Sequence, residues 1–315
     1  MPSRKAILSA SLALILMPLL AAVPGFASET PSSPTISAGS GIGDPLNFNR
    51  DPVKLEPSTA LHSPFVVGQP KRVAPFPILL NRLVQEYVDD YVSQPASWEA
   101  GVQRSRPFYL EMTQALRARG VPDDMLYLTF AESDFSERGK GPWQFNKGTA
   151  QRYGLRVDQW VDERRDPVLS TKAAAEYLSD LHEAAGYDWR VAVVGWNGGN
   201  LAIDRFWLLR GENFKRFMDL LPGQTRALMG RFMAYAFMAH NSTRYRIVHL
   251  DSDTPPGYHE VPVPGGTRLS QLAGSYHTTI AKLHDLNPAL LRDRIPPYAH
   301  SYKVRVPLLR TAFAE

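Results

Sequence analysis

Cysteine is absent throughout the sequence. The chain therefore has no disulfide in any compartment, no thiol for nucleophilic catalysis and no amino-terminal cysteine to carry a lipid. Other catalytic signatures are missing too: there is no Gly-rich phosphate loop and no G-x-S-x-G elbow. His182-Glu183 opens an H-E-x-x-H zinc pattern, but its fifth position is Gly186, so the second imidazole is lacking. His182 is expected to be a surface residue of a helix, and no metal or other cofactor is expected. Beyond the amino terminus, no apolar run reaches the ~20 residues needed to cross a bilayer. Excess charge is small as well. Arg4 and Lys5 supply two of the 35 basic residues, so 33 face 31 acidic residues after residue 27. That balance gives no argument for a nucleic-acid partner.

What is present is enough apolar material, 44% of 315 residues, for one large core and a small second one. Arg4-Lys5, the apolar stretch 6–22 and the small residues before Ser28 have the three zones of a secretory signal peptide, with cleavage expected after Ala27. The product is expected to be exported and soluble, with no stable membrane anchor. Residues 28–74 are rich in Ser, Pro, Thr and Gly and read as a tether. From Pro75 onward the apolar period is helical. Ile78, Leu79, Leu83, Val84, Tyr87, Val88 and Tyr91 recur at three- and four-residue steps, as do Tyr109, Met112, Ala115 and Leu116. Asp123 is expected to cap a helix reaching Glu132, Gly154 to end one in the left-handed region, and Asp166-Pro167 to start one running to Gly186. Further helices are expected at 189–196 and 222–240. The domain over 75–250 is thus all-α.

Pro255-Pro256-Gly257 marks a boundary, and the period then changes. Tyr258 to Val263 alternates as a strand, Leu269, Leu272, Ala273, Ile280 and Leu283 are helically spaced, and Tyr302 to Val306 alternates again. A small β-α-α-β unit is expected over 257–310. The fold class is mostly α with this small mixed domain behind it.

The chemically informative feature is a carboxylate among aromatics. Glu132-Ser133 falls where an apolar helix ends, followed by Asp134-Phe135 and then Gly141-Pro142-Trp143-Gln144-Phe145. Sugar rings stack on aromatic faces, amide side chains recognise acetamido groups, and a carboxyl beside apolar rings keeps its proton to higher pH. Taken alone, a Glu at a helix end is more often a solvated residue, and Trp143 is as readily core as platform.

Those motifs have an order. Glu132-Ser133, Gly141-x-Trp143-Gln144, Tyr153-Gly154-Leu155, Asp166-Pro167 with Ala173-Ala174-Ala175, and Gly195-Trp196-Asn197-Gly198-Gly199 together resemble the soluble lytic transglycosylase (lysozyme-like) superfamily. Arg104-Ser105-Arg106-x-Phe108 and Gly120-Val121-Pro122 upstream, and Leu220-Leu221-Pro222-Gly223-Gln224-Thr225 downstream, are similar to its lytic murein transglycosylase D type. The resemblance spans about residues 75–241. It implies a lysozyme-like fold and cleavage of the β-1,4 bond between N-acetylmuramic acid and N-acetylglucosamine in peptidoglycan, with Glu132 first as acid and then as base. The product implied is a 1,6-anhydro end, with no second protein carboxylate required because the sugar's own acetamido group assists. Asp134 then reads as structural. Ser133, Trp143, Gln144, Trp196 and Asn197 are the implied substrate-binding residues, with Ser133 positioning the catalytic segment.

Two departures stand out. Only residues 134–140 separate Ser133 from Gly141, where relatives carry a longer loop, and Trp196 stands where they usually have Tyr. Two alternatives follow: a hydrolytic muramidase, and a non-catalytic peptidoglycan-binding or scaffold protein. Val261-Pro262-Val263, Leu286-Asn287-Pro288 and Val304-Arg305-Val306-Pro307 resemble a LysM module, which implies a glycan anchor separable from the catalytic domain.

Overall fold

The computed structural model describes residues 74–208, 219, 221–245 and 257–308. The expected signal peptide and nearly all of the expected tether lie outside the described residues.

Helix α1 (Arg82–Ser93) starts where Asn81 accepts a hydrogen bond from the Val84 N–H at 3.0 Å, and it buries Val84 and Val88. The helix expected from Ile78 begins later. Phe76 anchors the preceding segment by packing edge-on against Phe232 at 4.8 Å and donating its N–H to Asp124 at 2.8 Å, which leaves Leu79 and Leu80 exposed. Helices α2 (Pro95–Ser105) and α3 (Tyr109–Ala118) follow. A 3-10 turn, Asp123–Leu126, then feeds α4 (Tyr127–Ser133). Asp123 is not a cap, since Pro122 holds that position and the Asp123 carboxylate instead accepts from Arg117 at 2.6 Å.

After α5 (Lys147–Arg152), Gly154 takes the left-handed conformation at φ +83°. Asp166 caps α6 (Pro167–Ala184) by accepting from the N–H groups of Val168 and Leu169, both at 2.9 Å, with Pro167 as the first helical residue. Helix α7 (Trp189–Leu208) runs further than its apolar pattern, with a break at Gly199. Helix α8 (Gly223–His240) is apolar nearly all round and buried. It packs against α1 and α4, while α6 packs against α3 and α7. The short α9 (Ser242–Tyr245) follows it.

The carboxy-terminal unit has the expected element order: β1 (Tyr258–Pro264), α10 (Leu269–Ser275), α11 (Ile280–Leu286) and β2 (Ser301–Pro307). The strands pair antiparallel, Tyr258 opposite Pro307 and Pro264 opposite Ser301. Buried Asn287 closes the unit: its amide donates to the carbonyls of Leu283 and Arg305 and accepts from the Arg305 N–H, each at 2.8 Å.

This unit is not a separable bead. Val161, from the loop between α5 and α6, is fully buried in its core beside Leu269, Leu290 and Val306. The Asp162 N–H donates to the Ala289 carbonyl and the Leu291 N–H to that of Trp160, both at 2.9 Å. Arg305 of β2 pairs with Asp166, the cap of α6, and both are 4% exposed. The same guanidinium lies over the rings of Phe108 (5.5 Å) and Tyr258 (5.3 Å). Docking of this kind corrects the expectation of an independently hung anchor.

Candidate active site

Glu132 is the penultimate residue of α4, whose preceding five residues are all buried. Burial of those residues holds the helix rigid and delivers the carboxyl to the edge of the core. The chain then turns sharply through two successive left-handed residues, Asp134 (φ 49°) and Phe135 (φ 55°), neither of them glycine. Three contacts hold the turn. The Arg104 guanidinium donates to the carbonyls of both residues, the Tyr235 hydroxyl donates to the Asp134 carboxylate at 2.7 Å, and buried Phe135 packs against Phe130. The Ser133 hydroxyl lies 3.0 Å from the carbonyls of Thr129 and Pro142 and accepts from the Ser136 N–H at 3.0 Å. Its single O–H is thus directed to backbone carbonyls, and its bonds tie the end of α4 to the loop that follows.

The following loop is fixed by Gly141 (φ +74°), where a Cβ would stand 1.8 Å from the Arg164 carbonyl oxygen. Gln144 (φ 50°) is half-buried, with its amide donating to the Gly141 carbonyl at 2.7 Å. Trp143 is a correction to the sequence-based expectation. Its ring is 1% exposed and its N–H already donates to Thr171 Oγ1 at 2.8 Å, so it offers no face to a sugar. Its role is to support Trp196, whose ring centroid is 5.4 Å away.

Half-buried Trp196, from the first half of α7, also meets Phe145 at 5.1 Å and Tyr177 at 5.2 Å. Within that aromatic cage its indole N–H donates to Glu132 Oε1 at 3.0 Å. Burial pushes the Glu132 carboxyl above the ordinary carboxylate range, while the indole N–H and the charges of Arg231 and Lys140 draw it part of the way back. Asn197 accepts from the Thr225 hydroxyl at 2.8 Å, which leaves its amide N–H groups without a partner among the described residues. A carboxyl of raised pKa, a fixed donor on it and a free amide nearby can exchange a proton with a neutral, acetamido-bearing ligand.

Residues 114–215 match the family described as "Transglycosylase SLT domain". Glu132, Ser133, Trp143, Gln144, Trp196 and Asn197 all fall inside the match. Over 247 residues the chain is 22% identical to "Membrane-bound lytic murein transglycosylase D" of Escherichia coli (strain K12), covering 74% of this chain and 55% of that protein. It thus spans little more than half the length of that curated relative. A second relative, the "Putative tributyltin chloride resistance protein" of Alteromonas sp. (strain M-1), is 26% identical over 102 residues, 30% of this chain and 49% of its own length.

Several residues around Glu132 and the turn that follows it escape a reading of the sequence. Tyr177 lies in the apolar stripe of α6 and looks like core. Arg231 sits inside the apolar run of α8, and a lone charge at such a place is the signal that marks it. Arg104 and Tyr235, far apart in sequence, meet only at the Asp134 turn. His182 differs from expectation as well. It is half-buried and stacked on Trp189 at 3.6 Å, so burial lowers its pKa. Among the described residues, no group of three or more His, Asp or Glu is arranged to hold a metal ion.

Proposed function

We propose that the chain is a peptidoglycan lytic transglycosylase with Glu132 as its single acid/base. The carrying observation is the half-buried carboxyl with raised pKa, clasped by Trp196 within a region that matches the transglycosylase SLT domain. Protonated Glu132 gives its proton to the glycosidic oxygen between N-acetylmuramic acid and N-acetylglucosamine as the C1–O bond breaks. The acetamido group of the muramyl residue shares the charge developing at C1. Ionised Glu132 then takes the proton from the C6 hydroxyl as that oxygen closes on C1, so the acid is regenerated and water is not consumed. Asp134 is read as structural rather than as a second reacting carboxylate, its Oδ1 accepting from the Tyr235 hydroxyl.

Gln144 and Asn197 are proposed substrate contacts, and Trp196 borders the reacting bond. Peptidoglycan strands are the proposed partner, with no role for nucleic acid or a cofactor. The 75–250 domain carries the chemistry, and the 257–310 unit is read as a LysM-like module that binds N-acetylglucosamine-containing glycan. Export to the periplasm accords with the signal-like 1–27 segment. Among the described residues no helix is long and apolar enough to cross a membrane.

Incubation with purified sacculi, followed by mass spectrometry of the released fragments, tests this reading. Anhydro fragments, one water lighter than hydrolysis products, are expected. Reducing ends would indicate a muramidase, and no release a binding protein. Glu132→Gln, which keeps shape but cannot exchange a proton, is expected to cut the rate by at least ~10²-fold while the melting temperature is retained. Digestion at the parent rate would remove Glu132 from the mechanism.

A further inference from the structure

The loop that leaves Glu132 meets the carboxy-terminal unit across a cavity of about 480 Å³, within the size range of ligand sites. Glu132 is not part of its wall. Its charged lining is Arg104, Glu137, Arg138 and Arg165 from the helical domain and Lys282 and Asp285 from α11. Arg104 is occupied: it holds the Asp134 and Phe135 carbonyls and lies 3.7 Å from Glu137. Among the described residues the side chains of Arg138, Arg165 and Lys282 make no hydrogen bond or ion pair, and the Arg165 Nε–H is buried without an acceptor. A buried guanidinium N–H left unbonded is costly, and carboxylate is the ligand that satisfies Arg and Lys with charge-assisted bonds. Cations exceed acids in the lining, but Asp285 and Glu137 add a place for an amine.

Sugar hydroxyls and acetamides are neutral and cannot balance this set of charges. The short peptide arms of peptidoglycan can, because they carry both carboxylates and amines with the carboxylates in excess. We propose that this cavity binds a peptide arm of the substrate strand, its carboxylates on Arg138, Arg165 and Lys282 and its amine at Asp285. The inference rests on the peptidoglycan reading above. It makes the docked unit part of a substrate site: the helical domain supplies one wall and α11 the other.

The test uses the full chain carrying Glu132→Gln, so that no ligand is cleaved, with and without the paired changes Arg138→Ala and Lys282→Ala. Both of these positions are exposed and outside the catalytic machinery. Calorimetric titration is made with the free tetrapeptide arm, the peptide-free disaccharide, the complete disaccharide-tetrapeptide and inorganic phosphate. The tetrapeptide is expected to bind, and the paired variant to bind it at least about tenfold more weakly, while its affinity for the peptide-free disaccharide is unchanged. Lys282→Glu should weaken the tetrapeptide further. No tetrapeptide binding, equal binding by the paired variant, or displacement of the tetrapeptide by phosphate at equal affinity would overturn the proposal. Sacculus digestion by the parent chain is read separately. Peptide binding without glycan release would sink the catalytic reading alone, and anhydro fragments without peptide binding would sink the cavity alone.

Discussion

At the scale of single residues, the contact between Trp196 and Glu132 has two opposed effects on one proton. The aromatic cage removes water and favours the neutral acid, whereas the indole N–H donates to the carboxylate and favours the ionised base. An acid that must later act as base works best between those extremes. Trp196→Phe keeps most of the apolar surface and deletes only the donor, so the carboxyl pKa should rise further. The basic limb of the pH profile of kcat/KM on soluble glycan is then expected to move to higher pH; a shift to lower pH would show that the indole does not favour the ionised form. Asp134 differs in kind. Its carboxylate receives the Tyr235 hydroxyl and steadies a left-handed turn, so Asp134→Asn is expected to lower activity far less than Glu132→Gln. Equal losses in the two variants would point to a two-carboxylate mechanism.

Among the elements, α4 and the two segments around it decide where the carboxyl stands. The 141–145 loop approaches the α5–α6 connection so closely that only glycine fits at Gly141, which also has positive φ. Gly141→Ala is therefore expected to destabilise the fold by more than about 1 kcal/mol, seen as a melting temperature several degrees lower, and to reduce cleavage with it. An unchanged melting temperature would mean that the loop yields without cost. At the carboxy-terminal end of α8, His240 pairs with Asp124 at 2.7 Å, and Asp124 also holds the Phe76 N–H ahead of α1. The hydrogen bond to Asp124 raises the His240 pKa, so the folded state binds the proton more tightly than the unfolded chain does. Stability from this pair is present in full below the unfolded value of about 6.5 and is lost as pH rises through the higher folded value. Thermal unfolding across that window should show the loss in the parent and not in His240→Gln. Parallel curves would exclude the linkage.

For the molecule as a whole, the pair Arg305–Asp166 joins the mixed unit to the helical domain through two buried charges, one of which also caps α6. Removing one partner of such a pair leaves the other charge buried and typically costs about 3–5 kcal/mol. Arg305→Ala is accordingly expected to lower the stability of both domains in one transition. Ending the chain before Tyr258 would uncover Val161 and Asp166, so that form should melt earlier and lose activity on short soluble glycans as well as on sacculi. Two separate transitions, or full activity after truncation, would restore the picture of an independent anchor. Helical period, the Asp166-Pro167 start, Gly154 and the order of the β-α-α-β unit were legible in the sequence because each depends on neighbours a few residues away. Glu132 was legible as a carboxylate among aromatics, and its motif order added the chemistry. The sequence could not divide Trp143 from Trp196: both are tryptophans after a loop or helix glycine, and only packing made one a buried support and the other the donor to the acid. Nor could it reveal that Arg104, Tyr235, Arg231 and Arg305 converge on residues 30 to 139 positions away. Local sequence determined the elements and the candidate carboxyl, while the tertiary structure decided that carboxyl's proton affinity and the docking of the two units, since burial and charge pairing exist only once distant segments meet.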